Sequence, residues 1–151
     1  MGTRQALSTA IRDKLLTLTD YFDEQSVWEH PNFSSQPPAA LILPSGVDPE
    51  YSTNISNKRL YSFAIILMDK IDGDANLNVT YARMRAIEDA VMDVLDIDPT
   101  FQIVGLTLPS GYAIIDSQAA PSTWERVQDD DLGQMLLAEV NIRVYIDRDI
   151  E

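Results

Sequence analysis

The chain contains no cysteine and a single histidine, His30, and each scarcity closes off a kind of chemistry. Without thiols there is no disulfide, no thiolate metal site, no iron–sulfur cluster and no cysteine nucleophile. A serine triad needs a base that is itself held by an orienting partner. The sole histidine stands instead in the run Trp28-Glu29-His30-Pro31, which reads as part of an irregular connector. Glycines at 46, 73, 105, 111 and 133 are single and scattered, and none opens a helix, so no phosphate-cradling loop is written here. No apolar run approaches the ~20 residues that span a bilayer. The N-terminus also lacks the charged-then-apolar order of a signal peptide, so the expectation is a soluble protein made in the cytosol, without membrane association.

Basic residues are scarce as well: 11 lysines and arginines stand against 24 aspartates and glutamates, a net charge of −13. That balance opposes the neutralisation of many phosphates, and sustained binding to nucleic acid is not expected. A surface of one sign repels a passing polyanion, which suits a protein that sits beside DNA without holding it.

What the chain does have is periodicity. Its 151 residues suffice for one domain with a proper core, and we expect a single domain over 1–151. The organising stretch runs from Arg59 to Asp96. Within it Met84, Ile87, Val91 and Leu95 recur at helical spacing, with Ala90 and Val94 widening the stripe, while Arg83, Arg85, Glu88, Asp89 and Asp93 are left for water. Asn78 or Thr80 is expected to cap this helix and Pro99 to prevent its continuation. Upstream, Tyr61, Phe63, Ile65 and Leu67 alternate with Leu60, Ala64, Ile66 and Met68. Largely apolar residues on both sides predict a central strand covered on two sides, or covered on one of them by a neighbouring subunit.

Around this unit the remaining elements fall into place. Leu7, Ile11, Leu15 and Leu18 predict an amphipathic first helix over Gln5–Thr19, with Thr3 as its N-cap and Lys14 beside the apolar stripe. Asp20 to Pro38 reads as a connector pinned by aromatics, and Ala39–Leu43, bounded by prolines, as a short edge strand. The stretch PSGVDPEYSTNISNK predicts an exposed loop or hairpin tip at about 44–58. After Pro99, FQIVGLTLP and YAIIDSQ read as a hairpin, Thr123–Val127 as a short strand, and QMLLAEVNIRVYI as a long closing strand. The fold class is therefore α+β: an antiparallel or mixed sheet of four to five strands, with two main helices packed on one face, in the order α-β-β-α-β-β-β.

Only one cluster invites a metal. Asp69, Asp72, Asp74 and Asn76 begin like a calcium loop from Asp72, but Leu77 stands where that loop needs glycine and Arg83 where it needs a bidentate glutamate. The cluster reads as a solvated turn, as does Asp129–Asp131. Accordingly no catalytic residue, no cofactor site and no metal site is expected, and the chain reads as an assembly or binding module rather than an enzyme.

The layout as a whole resembles the tail terminator, or tail completion, proteins of long-tailed bacteriophages. The features that carry the resemblance are the amphipathic N-terminal helix, the proline-bounded strand PPAALILP, the polar hairpin tip, the long strand RLYSFAIILMD, the helix TYARMRAIEDAVMDVLD and the closing strand LLAEVNIRVYI. The resemblance implies a homo-oligomeric ring, usually a hexamer, at the head-proximal end of the tail within the virion, assembled in the host cytoplasm. Such a ring stops polymerisation of the tail tube protein and joins the tube to the head connector protein, while DNA passes through without specific binding. It implies no catalytic residue. The contacts expected on physical grounds are Val47, Asp48, Glu50 and Tyr51 in the long loop, and Tyr61 and Phe63 on the two-sided strand. A head-completion or connector-joining ring has the same physics. A small ligand-binding domain, or a metal-dependent one built on Asp69, Asp72 and Asp74, is the reading from another class.

Overall fold

The computed structural model describes residues 2–29, 38–51, 56–71, 77–102, 104–109, 111–129 and 133–149. Two helices, α1 (Thr3–Leu16) and α2 (Leu77–Asp96), accompany five strands, β1 (Val27–Trp28), β2 (Ala39–Tyr51), β3 (Ser56–Lys70), β4 (Tyr112–Asp129) and β5 (Gly133–Asp149). The strands form one mixed sheet in the order β1-β2-β3-β5-β4. Only the two-residue β1 runs parallel to its neighbour; the other three pairings are antiparallel. The fold is thus α+β, as the periodicities require.

Both helices lie on the same face of the sheet, and the reason is visible in the register. Phe63 pairs with Ile142, Ile65 with Val140 and Leu67 with Ala138, which brings the apolar alternates of β3 and β5 onto one side. Met84, Ile87, Val91 and Leu95 from α2 and Leu7, Ile11 and Leu15 from α1 close over them, every one nearly inaccessible to water. Burying each such side chain contributes roughly 1.5 to 3 kcal/mol before the entropy of ordering is charged against it.

Several local expectations are corrected. Thr3 is not the cap of α1: Gly2 occupies that position, gives no side-chain hydrogen bond, and leaves Thr3 buried in the first turn. The helix ends at Leu16, short of the predicted Thr19, where Thr17 turns its hydroxyl back to the Lys14 carbonyl at 2.6 Å. Asn78 and Thr80 likewise fall inside α2 rather than at its cap.

The segment FQIVGLTLP is not a strand. Phe101 and Gly105 adopt left-handed backbone (φ 59° and 68°), which breaks any ladder, and Val104, Leu106 and Leu108 pack irregularly against the core. Their alternation reflects contact with the core and not pairing. YAIIDSQ and Thr123–Val127 belong to one strand, β4, interrupted by irregularities at Ile114/Asp116 and Pro121/Trp124. Pro121 is tolerated because β4 lies at the sheet edge, where its missing N–H costs no ladder bond.

The largest revision concerns residues 44–58. β2 continues through an irregularity at Pro44/Gly46 as far as Tyr51, and β3 begins at Ser56. What composition marks as a loop is mostly strand, and because β3 from Asn57 to Tyr61 pairs with β2 on one side and β5 on the other, it forms an arm of the sheet with β2, β3 and β5 side by side. At ~3.3 Å per residue the 15 residues of β3 span about 50 Å, while the 20 residues of α2 span about 30 Å. The sheet therefore outruns the helices that cover it.

Candidate assembly interface

Four of the six expected contact residues lie in that arm. Val47 pairs with Tyr61, Asp48 with Leu60, Glu50 with Lys58 and Tyr51 with Asn57. Tyr61 and Phe63 lie elsewhere than expected: at 5% and 1% exposure they belong to the core beneath the helices. The face of β3 that the helices leave free carries Leu60, Ser62, Ala64 and Ile66 instead, all half-buried.

This second face changes character along its length. Near one end Ala39, Leu41, Met68 and Met135 are buried together, with Trp28, Leu43, Ile66 and Leu137 packed around them. Farther along it turns polar, with Glu139 accepting from Asn141 at 3.3 Å and Arg143 exposed.

Where the arm leaves the helices, a cleft of about 690 Å³ opens between the start of α1 and the sheet. Tyr61 and Phe63 form its floor, with Arg59 and Tyr112 beside them and Gly2, Thr3, Arg4 and Ser8 facing from the helix. The Arg59 guanidinium lies 3.5 Å from the Tyr61 hydroxyl, and that contact, with further ones to Tyr61 and Tyr112, holds it above the ordinary arginine range despite partial desolvation. No acidic residue occupies the first turn of α1 and Gly2 gives it no side-chain cap, so the positive end of its dipole lies beside the cleft. Glu29 also lines the cleft but is tied back to the helix, accepting from Gln5 and Thr9 at 3.1 Å each. Thr3 and Ser8, at 8% and 6% exposure, line it as well.

The supposed carboxylate cluster is divided. Asp69, 1% exposed, is held by Arg83 through contacts of 2.5 and 2.9 Å, so it is a structural ion pair rather than a loop ligand. Asp72, Asp74 and Asn76 lie outside the described residues, as do His30, Asp130 and Asp131. Among the described residues no group of three or more histidine, aspartate or glutamate side chains is placed to hold a metal ion, and no helix is long and apolar enough to cross a membrane.

Sequence reasoning missed the cleft. The available signal was the opening Thr3-Arg4-Gln5-Ala6, a helix start with a cation where an acid is favoured. It also missed Lys14, which is buried and not merely beside the apolar stripe. Its Nζ donates to the backbone carbonyls of Asp98 and, at 3.5 Å, Leu95, sits 3.9 Å from the Asp98 carboxylate and lies 4.2 Å above the Phe101 ring.

No protein-family model and no curated protein matches the chain. Among solved structures, a chain from the virion of a native gene transfer agent particle is similar to it over 93% of this chain and 94% of the other, with 14% identity and a TM-score of 0.49.

Proposed function

We propose that this chain is a structural assembly protein of a long-tailed bacteriophage. It forms a ring on the head-proximal end of the tail tube, stops polymerisation of the tube and joins it to the head connector. The observation that carries this reading is the mismatch between sheet and helices. An arm of the sheet, β2, β3 and β5 side by side, running past its own helices, and a second sheet face without a helix among the described elements, are surfaces a monomer has no use for. Ring closure by head-to-tail contact gives both a partner. The arm, through Val47, Asp48, Glu50 and Tyr51, is the first contact in this account.

Mixing the purified chain with tail tubes of controlled length tests the reading. Capping by the chain arrests elongation when tube subunits are added, and rings appear at one tube end in negative stain. Tubes that lengthen at an undiminished rate contradict it. A chain that binds tail-less heads and ignores tubes moves the reading to a head-completion ring.

A further inference from the structure

Helix α2 has two ordered faces, and only one of them is spent on the core. Opposite the buried Met84, Ile87, Val91 and Leu95, a second stripe recurs at steps of three and four: Val79, Ala82, Ala86, Asp89, Asp93 and Ile97, each of them exposed. Ile97 lies one residue past the helix but continues its last turn, donating its N–H to the Asp93 carbonyl at 3.0 Å. Val79 and Ile97 are 62% and 74% exposed, and among the described residues Ile115 is the one other large apolar side chain left so open to water. Either alone is ordinary for a surface. Here they mark the two ends of one stripe, about 27 Å apart at ~1.5 Å per residue.

The charges on this face run against the helix that carries them. No basic residue occupies the last turn of α2, where a cation is favoured; Asp93 and Asp96 lie there instead, and the exposed Arg85 belongs to the first half of the helix. Lys14 meets that end from the core side, through the carbonyls of Leu95 and Asp98. Among the described residues neither Arg85 nor Asp89 nor Asp93 is held in an ion pair. A second α2 laid antiparallel across the first answers each of these features. Read in reverse, the stripe matches itself to within one residue: Val79 faces the partner's Ile97, Ala82 the partner's Asp93 and Ala86 the partner's Asp89. Arg85 then comes level with the interval between the partner's Asp89 and Asp93, and the acidic end of each helix lies beside the opening turn of the other, where the dipole is positive. The alanines let the axes approach to the usual ~8–10 Å. Copies of net charge −13 repel unless a contact is locally complementary, and this one is.

We infer that the outer face of α2, from Val79 to Ile97, docks on the same face of a second copy of this chain as an antiparallel, two-fold symmetric pair, with Arg85 of each copy set between Asp89 and Asp93 of the other. A two-fold contact joins copies in pairs and cannot by itself close a ring of six, so the inference stands apart from the ring reading. One helix face per copy is a small interface, about 1,200 Å² or less in total, and the pair is accordingly weak and exchanging.

Because the chain has no cysteine, cross-linking reads such a pair without background. V79C chains mixed with I97C chains are expected to give a disulfide-linked dimer under mild oxidation, and neither variant alone to do so, since like positions lie about 27 Å apart in an antiparallel pair. Charge exchange is the second reading. R85D or D89R, introduced into both cysteine variants, is expected to slow cross-linking at least ~10-fold, and R85D/D89R to recover it, because the same contact then forms with its signs exchanged. All four positions are exposed, so melting temperatures should stay within a few degrees of wild type and a loss of cross-linking is not a loss of fold. A mixture that gives no dimer, or V79C alone cross-linking as fast as the mixture, overturns the antiparallel pair, as does an R85D/D89R variant no faster than either single change. Rings on tube ends without this cross-link overturn the pair and leave the ring standing; the cross-link with bare tube ends does the reverse.

Discussion

Lys14 shows how much one side chain can decide. It lies on α1, yet its amine closes the C-terminal end of α2, where the carbonyls of Leu95 and Asp98 face no further helical N–H. Burial pushes its pKa below that of an ordinary lysine, opposed by Asp98 and then Asp96. Lys14→Met is expected to cost about 2 kcal/mol at neutral pH, because Asp98 loses its buried cationic partner and the Leu95 carbonyl its side-chain donor. Linkage adds a direction. The unfolded chain binds this proton more tightly, so the contribution of Lys14 falls as pH drops through its lowered folded pKa and is fully present above the ordinary lysine range. Denaturant titrations should therefore show wild type gaining on Lys14→Met as pH rises between those limits; a constant difference would contradict the assignment. At Asp69 the partner is Arg83, and Arg83→Ala strands a buried carboxylate, with an expected loss of about 3 kcal/mol in the same measurement.

Among the elements, β3, β5 and α2 were legible in outline because period and burial agree. Leu136 to Ile146 alternates cleanly and is a strand; Met84 to Leu95 repeats at helical spacing and is a helix. What misled was composition where backbone pairing ruled. Residues 44–51 carry two prolines and a glycine, the marks of a loop, but β2 is the sheet edge over most of its length, and an edge strand loses no ladder bond to a proline whose nitrogen faces outward. Those prolines also blunt the outer edge of β2 against unwanted strand addition. Conversely, FQIVGLTLP has the alternation of a strand but not its backbone, since Phe101 turns left-handed beneath Lys14. The cleft was illegible for another reason: Arg59 and Tyr112 come together only through the register of β3, β5 and β4, and Arg4 joins them only through the packing of α1 on the sheet. Replacing residues 47–56 by a two-residue turn should leave the core intact, because the buried stripe of α2 and β5 lies elsewhere. Its melting temperature should stay within a few degrees of wild type while ring formation is lost. Assembly that survives the deletion would remove the arm from the interface.

For the whole molecule, charge sets the conditions of assembly. Copies of net charge −13 repel over distances that salt screens beyond about 10 Å at 0.1 M, whereas a charge pair partly buried between copies is screened far less. Moderate salt should thus promote ring formation up to about 0.15 M before weakening it, a profile that sedimentation velocity at stepped ionic strength reads directly. Monotonic dissociation with salt would mean that bulk repulsion plays no part.

The most direct test of the central claim is the mass of the chain in solution, by light scattering behind size exclusion at several concentrations, followed by imaging with purified tail tubes. The account predicts a closed ring of six copies, or a monomer that becomes one at tube ends. A monomer at every concentration that leaves tube ends bare would contradict it.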